Sequence, residues 1–81
     1  MDRVEIENIV NQFLIDELEI DSSLVRPNAR LKEDMMIDSL DLVDIAVIVD
    51  EQFGFKIKME EMKEVLTLAQ FYDFIEGKMT K

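Results

Sequence analysis

Cysteine and histidine are both missing from this 81-residue chain, which also has only two glycines, one proline and no tryptophan. Without cysteine there is no disulfide framework, no thiolate metal site and no thiol nucleophile. The lack of histidine removes the usual general base, the commonest metal ligand and the Ser-His-Asp triad. So little glycine and proline leaves few tight turns, which disfavours a many-stranded sheet and favours helices. No long apolar run and no signal or transit peptide is found, so the chain is expected to be soluble, cytoplasmic and off the membrane.

What is abundant is apolar residue and negative charge. The hydrophobic share is 48%, ample for a folded domain despite a net charge of −10. At this length one domain, residues 1–81, is expected, with a core too modest for a roomy catalytic cavity. An acidic balance of this size repels nucleic acid and anionic lipid and suits basic partners. The charge is uneven: residues 1–25 hold seven acids and one base, and residues 33–55 hold seven acids and no base. Nothing demands a permanent interface, so a monomer is expected.

Ile6, Ile9, Val10, Phe13, Leu14 and Leu18 recur at helical spacing and predict an amphipathic helix over 4–18. Asp21, Ser22 and Ser23 break that pattern. A long first loop should run to Ile37, with Leu24, Val25, Leu31, Met35 and Met36 tacking it to the core. Asp38 has the chemistry of an N-cap and Gly54 that of a left-handed stop, so a second helix is expected from Ser39 to about Phe53. Residues 55–59 alternate apolar and basic but have no pairing partner, and read as an extended connector. A short helical turn follows around 60–65. Thr67-Leu68-Ala69-Gln70 is a capping box opening a last helix, with Leu68, Phe71, Phe74 and Ile75 facing inward. The fold class is all-α: a small four-helix bundle, three main helices plus one short helix, with a long first loop.

On the second helix, Leu42, Ile45, Ala46, Val49 and Phe53 share one arc and should face the core. Opposite them Leu40, Val43 and Val47 form a second apolar stripe, bordered by Asp44 and Glu51 on one edge and Asp50 on the other, with Asp41 further round. Burying this stripe as well would drag adjacent carboxylates out of water at a high cost. A docking surface explains it better, for a partner apolar at the centre and basic at the rim. Asp41 and Asp44 are expected to be exposed and free to change without loss of fold.

Ser39 opens that helix between Asp38 and Asp41. No histidine can activate it and no lysine lies nearby in sequence, so a lysine-assisted hydrolase is a remote reading. Asp38, Asp41 and Asp44 are three apart on a helix, whereas a calcium loop needs acids two apart and a glycine turn, so no metal site is read. A free anion at the helix start would be repelled by the carboxylates, but a phosphate held covalently on Ser39 would rest near the first-turn amides.

Asp38-Ser39-Leu40, preceded by Glu33-Asp34 and continued as "DSLDLVDIAVIVDEQFGF", resembles the acyl carrier protein family. The likeness covers the long loop, the short third helix and the last helix opened by Thr67. It implies that Ser39 carries 4′-phosphopantetheine, placed there from coenzyme A by a phosphopantetheinyl transferase. It implies a carrier that catalyses nothing itself, serving fatty-acid or related polyketide assembly. Acyl-processing enzymes with basic patches would grip Asp38, Leu40, Asp41, Val43, Asp44, Val47, Asp50 and Glu51. Carriers of aminoacyl groups, D-alanine among them, share the fold, and an unmodified interaction module would use the same stripe. Family carriers also tuck the growing chain between helices, for which the six methionines offer a deformable interior. Two departures stand out: Met36 where the family usually has glycine, and Lys58 where proline is common.

Overall fold

A computed structural model describes residues 2–79 of the chain. Four helices follow one another: α1 (Arg3–Asp16), α2 (Ser39–Phe53), the single turn α3 (Met59–Met62) and α4 (Leu68–Met79), with a 3₁₀ turn at Ser22–Leu24. The described residues contain no strand, and the connector 55–58 is extended but unpaired.

Helices α1 and α2 bury most of the face their spacing predicts, with Ile9, Leu42 and Ala46 only half-buried. Ile6, Val10, Phe13 and Leu14 of α1 meet Ile45, Val49 and Phe53 of α2 and Leu68, Phe71, Tyr72 and Ile75 of α4 in one apolar core. The helix ends follow local chemistry. Asp2 accepts from the Glu5 amide at the start of α1. Gly54 ends α2 at φ 78°, a left-handed position where a side chain is disfavoured. At α4 the capping box forms as expected, with Thr67 Oγ1 accepting from the Gln70 amide and Gln70 Oε1 from the Thr67 amide.

Two expectations shift. On α4, Tyr72 is inside and Phe74 half-buried under the Lys78 ammonium, because positions 68, 71, 72 and 75 make the continuous inward arc. The methionines contribute less to the interior than their number suggests: Met35 and Met62 are buried, Met79 is half-buried, and Met36 and Met59 are exposed. Met1 lies outside the described residues.

The long loop is held by backbone as well as by its apolar residues. The Leu31 amide donates to the Leu66 carbonyl at 2.9 Å, and the Leu68 and Ala69 amides donate to the carbonyls of Ala29 and Pro27 at 2.9 and 2.8 Å. Ile20, Ala29, Leu31, Met35 and Ile37 are buried beneath it. This pins the middle of the loop, residues 27–31, to the start of α4. Arg3 ties α1 to α4, bridging Asp73 at 2.7 Å and Glu76 at 3.1 Å and lying over the Tyr72 ring. Lys58 has a use for its amide that proline could not supply, donating to Glu61 Oε1 at 3.2 Å to open α3.

Tyr72 makes the fold sensitive to alkali. It is 2% exposed and its hydroxyl donates to Asn11 Oδ1. Burial first, then the nearby Glu7 charge, push the phenol up to about 12. The folded state therefore favours the neutral phenol more than the unfolded chain does, where it titrates near 10. That contribution is complete below pH ~10 and is lost as the pH rises toward 12, at most about 2–3 kcal/mol. Urea unfolding across this window should show the loss, and Tyr72→Phe should lack it while sharing the lysine effects. Tyr72 is the only tyrosine, so phenolate absorbance reports it alone.

Candidate functional site

Ser39 is the first residue of α2 and is exposed. Its surroundings are built by a reciprocal cap. Asp38 Oδ1 accepts from the Asp41 amide at 2.9 Å, and Asp41 Oδ2 accepts from the Asp38 amide at 3.2 Å. The Leu42 amide is bonded to the Asp38 carbonyl. What remains at the helix start is the pair of amides of Ser39 and Leu40, which have no protein acceptor, and the Ser39 hydroxyl, which makes no hydrogen bond.

This bears on Asp38 and Asp41. The sequence predicts the N-cap and an exposed Asp41, but not the bond that Asp41 returns to the Asp38 amide. The signal was present, since an acid three residues after an N-cap is the pattern of a capping box. Asp41 is half-buried and structural in part, so its replacement would weaken the helix start, contrary to the expectation that it is free to change.

The two faces of α2 separate cleanly. Ile45, Val49 and Phe53 are buried, with Leu42 and Ile48 packed partly against the core. On the outer side Leu40 is 75%, Val43 50% and Val47 55% exposed. Asp44, Asp50 and Glu51 are exposed along its edges and take part in no ion pair or side-chain hydrogen bond. The stripe is thus three aliphatic side chains in water within a border of unneutralised carboxylates. An arrangement of this kind draws a basic surface by long-range attraction and then gains by burying its apolar centre.

The wall beside the stripe was not foreseen from sequence. After α1 ends, the chain turns through Glu19 at φ 56°. Leu18 lies against the core there and lines two open grooves of about 220 Å³ each. One also takes in Asp44, Val47 and Ile48, and the other Glu19, Met36 and Asp41. Met36 does not tack the loop to the core as expected. It sits at φ 57° with its side chain 80% exposed, because Met35 and Ile37 on either side point inward and leave it the outward position.

No charged side chain is buried among the described residues. Among the described residues, no buried side-chain nitrogen or oxygen lacks a partner, and no group of three carboxylates is placed to hold a metal ion. Among the same residues no helix is long and apolar enough to cross a membrane. What Ser39 can do in this setting is receive a group: its oxygen is unencumbered, and the two adjacent free amides suit a phosphate attached to it.

The family model described as "Phosphopantetheine attachment site" matches residues 8–75. Over 75 residues, 93% of both chains, the sequence is 37% identical to the acyl carrier protein of Rubrobacter xylanophilus. It is 35% identical over 79 residues, 98% of both, to that of Thermosynechococcus vestitus. With that of Solidesulfovibrio magneticus it shares 32% over 69 residues, 85% of this chain and 88% of the relative.

Proposed function

The chain belongs to the acyl carrier protein family, and on that premise we propose that Ser39 is the residue that bears 4′-phosphopantetheine and that the protein carries acyl intermediates for fatty-acid or related polyketide assembly. The observation that supports this most directly is the exposed, unbonded Ser39 hydroxyl at the head of α2, with the free amides of Ser39 and Leu40 beside it. When attached, the group supplies the thiol that a cysteine-free chain lacks and holds acyl groups as thioesters.

The chain's own residues bind and orient. The Asp38–Asp41 cap fixes the first turn of α2 and so the direction in which Ser39 points. Neither carboxylate is hydrogen-bonded to Ser39 Oγ, so its deprotonation is assigned to the transferase. Leu40, Val43 and Val47 supply the apolar centre of the docking face, and Asp44, Asp50 and Glu51 its charged rim. Asp38 and Asp41 add to the negative field through the oxygen that each does not spend on the cap. The partners that fit are the phosphopantetheinyl transferase and acyl-processing enzymes with basic patches, and the chemistry belongs to them.

Intact mass before and after incubation with coenzyme A and a broad-specificity phosphopantetheinyl transferase tests the assignment. The expected result is a gain of one phosphopantetheinyl group, mapped by peptide fragmentation to Ser39. A folded chain that gains nothing, or gains it elsewhere, would falsify it.

A further inference from the structure

We propose that Met36 is a specificity residue, read by the enzyme that modifies Ser39 through an apolar pocket on that enzyme's surface; this rests on the carrier reading above. Met36 stands in a left-handed backbone conformation at φ 57°, where a side chain is strained and glycine is not. Its side chain is 80% exposed and outside the apolar core, so the fold gains little from having it there. A residue that costs the backbone something and is left in water has its use outside the chain.

Geometry places that use at the modifying enzyme. Three residues span at most about 11 Å from Cα to Cα, so Met36 lies within that distance of Ser39. A standard enzyme–protein interface covers about 800 Å² per partner, a disc of radius about 16 Å. An enzyme that closes over Ser39 Oγ therefore covers Met36 as well. Leu40, 75% exposed, follows Ser39 directly, so exposed apolar residues stand on both sides of the serine in the sequence.

The groove beside Met36 indicates the partner's chemistry. It is lined by Leu18, Ile20 and Leu24 together with Glu19, Asp21 and Asp41 among others, aliphatic side chains mixed with carboxylates. With Met36 as one wall, it suits a basic surface carrying an apolar pocket for the thioether and a side chain that reaches Leu18. Methionine fits such a role because it is unbranched and polarizable, and adapts to the pocket it meets.

The test uses the full chain, coenzyme A and the phosphopantetheinyl transferase of the chain's own source organism, comparing the parent with Met36→Gly and Met36→Ala. Gly removes both side chain and strain, whereas Ala removes the side chain alone. Loss of a partly buried methionine contact should raise KM about fivefold to thirtyfold in both variants, with kcat little changed. The Gly variant should also melt about 2–5 °C above the Ala variant, as relief of a left-handed side chain requires. An unchanged or lower KM in either variant would overturn the proposal. So would a rise confined to Met36→Gly, which would trace the effect to backbone freedom. A parent chain that gains no phosphopantetheine would overturn the carrier reading, and this inference with it.

Discussion

Ser39→Ala should take up no phosphopantetheine under conditions that load the parent completely, while its unfolding free energy stays within about 0.5 kcal/mol of the parent. The two halves of this result come from the same observation. The Ser39 hydroxyl makes no hydrogen bond, so its removal orphans nothing and opens no cavity. The cap on α2 is Asp38, not Ser39, and the reciprocal Asp38–Asp41 bonds are untouched. Alanine is moreover a better helix former than serine. The loss of loading is absolute because no other group can accept the phosphoryl at that position. Ser22 and Ser23 are exposed too, but they sit in the 3₁₀ turn of the long loop, away from any helix of useful length. A Ser22→Ala/Ser23→Ala chain is accordingly expected to load fully. Intact mass and urea unfolding on the three chains give the answer, and residual loading of Ser39→Ala would move the assignment to another hydroxyl.

The second large effect concerns encounter. Replacing Asp44, Asp50 and Glu51 together by lysine shifts the net charge by +6, from −10 to −4. Against a basic partner, the KM for acyl transfer should rise about 10- to 100-fold at low salt. The gap should narrow as salt screens the charges, since the Debye length falls from about 30 Å at 0.01 M to about 8 Å at 0.15 M. The fold should not suffer, because the three side chains are exposed and unpaired. Removing like charges from one helix face relieves repulsion if it does anything. Asp41 is left out on purpose: lysine there would break half of the capping box, at about 1 kcal/mol, and confuse the two effects. Steady-state kinetics of an acyl-loading enzyme across a salt series, with circular dichroism as the control, settles the point. Equal KM values at low salt would mean that the carboxylate rim does not steer partners.

Much of the candidate site could be read before the structure was known, and the reason is periodicity. An α-helix places residues at fixed angles, so the order of residues from 39 to 53 already separates an inward arc from an outward stripe. Burial of Ile45, Val49 and Phe53 and exposure of Leu40, Val43 and Val47 follow that rule. The stops and starts were equally local. Asp38, Gly54 and the Thr67–Gln70 pair act on amides and dihedral angles within four residues of themselves.

Where reading failed, the deciding partner was distant or the backbone irregular. Tyr72 rather than Phe74 faces inward because α4 packs against α1, and Asn11 waits there for its hydroxyl. Leu18 borders the outer stripe of α2 because the turn after α1 brings it beside Asp44 and Val47.

The sequence by itself determined the number of helices, the caps at Asp38, Gly54 and Thr67 and the two-faced character of the helix behind Ser39, since each is set by contacts within about one turn. Helix α1 ends at Asp16 rather than Leu18, and the short third helix spans Met59–Met62 rather than 60–65. Only the tertiary structure decided that Met36 stands out in water on a left-handed backbone. The loop from residue 21 to 37 has no repeat to predict it, and its path is fixed by amides that bond across to the head of α4 and by Met35 and Ile37 taking the buried places on either side.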